Sequence, residues 1–329
     1  MKVTVLIAVY NSSRYLRECL DSLRGQTMTD FQAICVDDCS ADDSAAILQE
    51  YAEADNRFAV VKLSENHGQA YARNEALKLA KGEYTCFLDS DDFLSGDALE
   101  RVVTAFETNE KVDCVLFKLK LCDEQGRVKG DYPQEDFQTM GGEEAFLKSL
   151  SWQIHGVYAV RTHLFLRFPY DDSAYTYSDD NTTRLHFYHA RLVATCEGIY
   201  FYRQHAQSVT NAVSLRRFDY LKANASMRRQ LLQLGVSRDI IDRYENIRWL
   251  NVVDLYMLYY QHRRQFPAAD RKEALAMVRQ AWQSIQVESL EPRNRWKFGY
   301  CPCRPYWLLF RIQEEAYFTL RHLRDRILR

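Results

Sequence analysis

The sequence predicts an α/β fold: a parallel, doubly wound sheet followed by a helical region. Three observations lead there. Strand-like and helix-like segments alternate through the first third of the chain. The first run, Val3–Val9, is continuously apolar and rich in β-branched residues, which suits a strand buried on both faces. Polar clusters close three strand-like runs, at Tyr10–Ser13, Asp37–Ser40 and Asp89–Asp92. In such sheets ligands sit beyond the carboxyl ends of the strands.

The elements follow in order. After the first strand, Leu16, Cys19, Leu20 and Leu23 recur at helical spacing; Ser12 or Ser13 can cap that helix and Gly25 can end it. Phe31–Val36 reads as a strand, Asp42–Tyr51 as a helix and Phe58–Leu63 as a strand. Gln69–Ala80 reads as a helix closed by Lys81–Gly82, Tyr84–Leu88 as a strand and Asp97–Thr108 as a helix. Cys114–Leu121 is a further strand with a turn at Glu124–Arg127, and residues 130–210 mix short elements with many aromatics. From Leu215 to about Ile285 the pattern is helical and amphipathic.

The 329 residues are 47% hydrophobic, enough for a sizeable core. A formal net charge of −2 gives no overall basic character for nucleic acid. No apolar run reaches the roughly 18 residues of a transmembrane helix. The start, "MKVTVLIAVYN", lacks the pattern of a signal peptide. Nine scattered cysteines without a framework suggest reduced thiols in a cytoplasm.

Chemistry concentrates in "CFLDSDDFL". Asp89 and Asp91 flank Ser90, so alternate side chains in an extended turn can converge. Two such carboxylates resist joint ionisation, which a divalent Mg²⁺ or Mn²⁺ relieves. The plainer reading is that Asp91, Asp92 or Ser95 caps the helix near Asp97. Asp37–Asp38 ends another strand, where a carboxylate can meet a base or ribose; "DDCSADD" is also good turn sequence. In "NHGQAYARNEAL", Gly68 permits a close backbone approach and Arg73 offers a fork for phosphate or carboxylate. A solvated helix face is the alternative for Arg73. Glycine is too sparse for a P-loop or a dinucleotide fingerprint.

Together, "TVLIAVYNSSRYLRECLDSLRGQT", "FQAICVDDCSADDS" and "ENHGQAYARNEALKLAKGEYTCFLDSDDFL" resemble the nucleotide-binding half of family 2 glycosyltransferases of the GT-A fold. The resemblance runs almost continuously over residues 3–105 and more weakly through Tyr177–Asn211. It implies a Rossmann-like mixed sheet flanked by helices. The transferase domain would be residues 1–212, with a nucleotide-binding half at 1–110 and an acceptor half at 111–212; residues 213–329 would form a C-terminal helical region.

It also implies roles. Ala8, Tyr10 and Asn11 would pack on the nucleotide base and Asp38 would hydrogen-bond it. Gly68 and Arg73 would lie along base and phosphates. Asp89, with Ser90, would approach the ribose and metal, and Asp91 would ligate Mn²⁺ or Mg²⁺ on the diphosphate. His205 stands where some relatives supply another metal ligand; a structural histidine is the commoner case. A base on the opposite face would be Asp180, with Asp179 in place of the family's glutamate, a departure that leaves the alignment open by one residue. A helix cap is the simpler use of that pair. Trp152 and His155 suit an acceptor pocket or a core equally.

The implied activity moves a sugar, with inversion, from a nucleotide donor, UDP-linked by expectation, to a saccharide or lipid-linked saccharide in surface-polysaccharide synthesis. A nucleotidyltransferase would want a glycine- and basic-rich first loop, which "AVYNSSRY" is not. A non-catalytic glycan- or nucleotide-binding relative would not need the acids. From Arg293 onward nine Lys and Arg face three Asp and Glu, and residues 305–329 are amphipathic and aromatic. That stretch fits peripheral contact with the inner face of an anionic membrane, or packing on its own domain or on a second subunit of a homodimer.

Overall fold

The structure, a computed structural model, describes residues 1–174, 176–177, 179–205 and 213–327, with side chains to residue 322. The chain forms two compact units, residues 1–208 and 209–329.

The first unit is built on one sheet. Its strands are β1 (Val3–Val9), β2 (Phe31–Asp37), β3 (Phe58–Lys62), β4 (Tyr84–Phe87), β5 (Phe93–Leu94), β6 (Val112–Cys122), β7 (Val128–Asp131), β8 (Thr139–Gly141), β9 (Tyr158–Arg161) and β10 (Leu192–Arg203). The order is β3-β2-β1-β4-β9-β6-β10-β5, with β7 on β6 and β8 on β10. Strands β3, β2, β1 and β4 are parallel, as the alternation predicts. Strand β9 then runs antiparallel to both β4 and β6, so the sheet is mixed rather than wholly parallel. The reversal lies in the aromatic-rich region, where short elements carry no strand–helix alternation to reveal direction.

Flanking helices are α1 (Ser13–Arg24), α2 (Ser44–Ala54), α3 (Gln69–Leu77), α4 (Ala98–Thr108), α5 (Gly142–Leu150), α6 (Thr162–Arg167) and α7 (Asp179–His189). On α1, Leu16, Cys19, Leu20 and Leu23 are all fully buried against β1 and β2 residues in one core, the face their spacing predicts. The two-residue β5 escapes sequence reading because two residues show no period; it lies antiparallel on β10.

Gly82 has a more specific task than ending a helix. Its amide donates to the buried Thr4 hydroxyl at 2.9 Å, and a Cβ there would come within 2.5 Å of the Thr4 nitrogen. The neighbour is strand backbone, which cannot step aside. Gly82→Ala is expected to lower the urea midpoint of the full chain by the equivalent of about 1–3 kcal/mol; an unchanged midpoint would refute this close-approach account.

The second unit contains α8 (Asp219–Leu234), α9 (Arg238–His262), α10 (Ala268–Ser284), the single-turn α11 (Pro292–Arg295) and α12 (Trp307–Ile327). Its core joins Trp249, Tyr256, Trp282, Phe310 and Phe318. The two buried indoles find acceptors in backbone carbonyls: Trp249 Nε1 donates to Tyr300 at 2.8 Å and Trp282 Nε1 to Pro302 at 2.7 Å. Among the described residues no helix is long and apolar enough to cross a membrane.

Candidate active site

The three polar strand ends interlock. Ala8 still belongs to β1, paired with Val36, whereas Tyr10 stands 46% exposed beyond it. Asn11 adopts a left-handed φ of 50°, a conformation that asparagine tolerates. Its amide donates to Ser40 Oγ at 3.0 Å, and its Oδ1 accepts from the Ala41 amide at 2.8 Å. The Ser12 hydroxyl, a capping candidate by sequence, makes no cap bond and meets Ser90 Oγ at 2.7 Å. The loops after β1, β2 and β4 are thereby tied into one rim.

Asp38 is 2% exposed. Its two oxygens accept from the backbone amides of His67 and Gly68, each at 2.8 Å. Gly68 has φ 90°, so glycine is needed to turn both amides onto one carboxylate. The structure thus gives Asp38 and Gly68 to each other as immediate partners. A base contact would fall to the second lone pair that each Asp38 oxygen retains.

Arg73 is not on a solvated face, being 1% exposed, and of the phosphate and carboxylate its fork suits, it meets carboxylates. It pairs closely with Asp89 and approaches Asp179 Oδ2 at 3.7 Å. Its guanidinium lies 4.4 Å from the Phe87 ring centre and 5.3 Å from that of Tyr170. Gln69, one turn earlier on α3, adds a 2.9 Å hydrogen bond to Asp179. Burial pushes the Asp89 carboxyl up from its ordinary range, and the Arg73 charge pulls it back.

Asp91 meets His205 Nε2 at 2.8 Å. Asp92 is the buried acid of the cluster; its Oδ1 accepts the Arg203 amide at 2.7 Å. It therefore ties this loop to β10 and does not cap α4, whose preceding residue is Asp97. Ser95, the other cap candidate, accepts instead from the Ile199 amide at 3.0 Å. The Arg203 side chain completes the latch, donating to the Asp91 carbonyl at 2.8 Å and to Glu18 at 2.6 Å.

The expected metal set of Asp91, Asp89 and His205 is not assembled. Asp89 is taken by Arg73, and among the described residues no three His, Cys, Asp or Glu side chains gather as ligands. What stands together is one carboxylate and one imidazole. That donor pair fits Mn²⁺ or Mg²⁺ completed by diphosphate oxygens and water.

Asp179 and Asp180 open the first turn of α7 rather than preceding it as caps; acids there complement the helix dipole. Asp179 is drawn into the Arg73 network. Asp180 is not: burial, then the charge of Asp179, push its carboxyl up to about 7, with Arg184 opposing. Arg184, a turn later and 1% exposed, lies 5.3 Å from the ring centre of Trp152. Trp152 is 37% exposed at a left-handed φ of 57°. His155 belongs to the core: it is 3% exposed, edge-on to Tyr132, and burial lowers its pKa to about 4. Gln69, Arg184 and Arg203 escape sequence reading as site residues. The only signals were helical spacing from Arg73 and Asp180 and the "YR" at the end of β10. The end of the weaker resemblance through Tyr177–Asn211, residues 206–211, lies outside the described residues.

The family model of glycosyl transferase family 2 matches residues 4–169. The poly(ribitol-phosphate) beta-glucosyltransferase of Bacillus spizizenii is 42% identical over 137 residues, 41% of this chain and 22% of that protein. The poly(ribitol-phosphate) beta-N-acetylglucosaminyltransferase TarS of Staphylococcus aureus (strain Mu50) is 36% identical over 152 residues, 45% of this chain and 25% of that protein. The match thus spans a quarter or less of these relatives. The crystal structure of S. aureus TarS 1-349 in complex with UDP-GlcNAc superposes with a TM-score of 0.71 at 18% identity, covering 99% of this chain and 92% of that one, a likeness of fold.

Proposed function

The chain belongs to glycosyl transferase family 2, and from that premise we propose that it transfers a sugar from a UDP-linked donor to a saccharide or lipid-linked saccharide acceptor, with inversion, in cell-surface polysaccharide synthesis. One observation carries this reading: a single buried guanidinium, Arg73, joins Asp89 of the D-x-D loop to Asp179 at the head of α7. The donor-side acids and the Asp179–Asp180 pair therefore belong to one site. The relatives' names, which concern glucosyl and N-acetylglucosaminyl transfer to poly(ribitol-phosphate), favour the same class of reaction.

In this reading Asp180 takes the proton of the acceptor hydroxyl as its oxygen bonds to the anomeric carbon. The bond from that carbon to the diphosphate breaks on the opposite face, and its electron pair leaves on the diphosphate oxygen. Arg73 keeps Asp89 and Asp179 in place. The rim formed by Tyr10, Asn11 and Asp38 receives the base, and Ser90 holds the D-x-D loop against it. Asp91 and His205 would hold Mn²⁺ or Mg²⁺, whose charge neutralises the diphosphate. Trp152 offers an aromatic face to the acceptor. The protein works at the inner face of the plasma membrane, touching it through residues 305–329.

Titration calorimetry with UDP tests the metal assignment. Mn²⁺ is expected to tighten binding by about tenfold or more in the native chain, and Asp91→Ala or His205→Ala to remove that gain. Equal affinity with and without Mn²⁺ in the native chain would sink the assignment. Hydrolysis of a panel of nucleotide sugars identifies the donor; no turnover of any would count against the transferase reading.

A further inference from the structure

Helix α12 has two apolar faces, and only one of them is packed. Phe310 and Phe318 are buried, with Phe310 5.6 Å from the Trp249 ring and Phe318 5.9 Å from that of Tyr256. Arg311 Nε donates to Tyr256 Oη at 2.9 Å on the same side. The other side repeats Leu308, Leu309, Ile312 and Leu320, one stripe at helical spacing, each between 53% and 67% exposed. Tyr306 and Trp296, 66% and 70% exposed, stand just ahead of the helix in the chain. Phe298, half-exposed, meets the Tyr317 ring edge-on at 6.0 Å, which sets the loop after α11 against the middle of α12. A patch of this kind, rimmed by polar groups, marks an interaction surface.

Its charge says what kind. Between residues 292 and 322, Arg293, Lys297, Arg304 and Arg321 are exposed and no carboxylate is; Arg293 pairs at 2.7 Å with the exposed Glu291 just ahead of the stretch, which leaves Lys297, Arg304 and Arg321 as its cations without an exposed carboxylate. The stretch holds just two acids. Glu315 is half-buried and paired with Arg311 at 3.0 Å. Glu314 is fully buried, and burial pushes its carboxyl up to about 9, so it is uncharged at neutral pH. Leucines and isoleucine on an exposed face, aromatic side chains beside them and cations without exposed anions are the composition of an interfacial helix. Lysine and arginine meet phosphate headgroups while the apolar stripe enters the acyl boundary.

We propose that the outward face of α12, with Trp296, Phe298 and Tyr306, is a docking surface for an anionic lipid bilayer, lying in its interface rather than crossing it. This deepens the membrane contact in the functional reading above and names the side chains that make it.

Flotation of the full chain with vesicles tests it. Vesicles of phosphatidylcholine with phosphatidylglycerol are expected to carry the protein, and phosphatidylcholine alone to carry about tenfold less. The double variant L309Q/I312Q is expected to weaken flotation by about tenfold or more, while UDP affinity, read by calorimetry, shows that the chain is folded. Three results would overturn the proposal: no flotation of the native chain, equal flotation with neutral vesicles, or native flotation by the variant. Concentration-dependent dimers in sedimentation that L309Q/I312Q abolishes, without vesicle binding, would assign the face to a second copy instead. A chain that floats but does not bind UDP leaves this surface standing and removes the donor reading.

Discussion

Asp180→Asn is expected to cut kcat by about 10²- to 10⁴-fold, the usual worth of a positioned general base, while leaving UDP affinity unchanged. The reason lies in the different surroundings of two adjacent acids. Asp179 accepts from Gln69 and faces Arg73, so its charge is committed to holding the site. Asp180 stands outside that network, and burial raises its carboxyl to about 7, close to where a base works best. Single-turnover rates and calorimetry on Asp180→Asn and Asp179→Asn separate the two. If Asp179→Asn abolishes turnover with binding intact and Asp180→Asn does not, the base is Asp179.

The same shift sets the pH dependence. A base acts deprotonated, so kcat/KM is expected to rise with pH and level off above about 7, the value Asp180 reaches; Asp180→Asn should erase that inflection. For stability the sign is opposite. The folded state keeps a proton that the unfolded chain releases near 3.8. The stability from that proton is full below 3.8 and is lost as pH rises through about 7. Asp180→Asn should therefore melt higher than the native chain at pH 8, with a smaller gain at pH 5 and no gain below 3.8, which thermal unfolding across that range measures.

Arg73→Met is expected to destabilise the chain by about 3–5 kcal/mol, the loss seen when one partner of a buried ion pair is removed. Two carboxylates, Asp89 and Asp179, would lose their shared counter-charge, and the stacking on Phe87 and Tyr170 would go with it. The partial exposure of Asp89 favours the lower end of that range. Urea unfolding reads the loss. Adding Asp89→Asn to Arg73→Met should recover part of it, because the orphaned charge is then gone. A loss below about 1 kcal/mol would show that the pair is solvated and contributes as a surface bridge does.

Much of this site was legible before any fold. The alternation of elements placed Tyr10–Ser13, Asp37–Ser40 and Asp89–Asp92 at strand ends, and those ends do form one rim. The helical face of α1 was legible because four apolar residues repeat at the helix period. Strand β9 was not, since direction leaves no mark on a four-residue run. The uses of individual acids were legible only in part. Asp92 and Asp91 look alike in the sequence, yet one is a buried latch and the other meets a histidine. The tail offered membrane contact and packing as rivals; α12 packs with one face and leaves the other open.

By itself, then, the sequence determined the elements of the first third of the chain apart from β5, the strand-end position of the polar clusters and the family. These follow from local period, local turn chemistry and motif order, all written over a few neighbouring residues. Tertiary structure alone decided the pairings: Arg73 with Asp89 and Asp179, Asp38 with the His67 and Gly68 amides, Asp92 with Arg203. Asp91 and His205 stand 114 positions apart in the chain. A buried charge must find a counter-charge or donor somewhere, but the periodicity that buries it says nothing about which distant one the fold will bring.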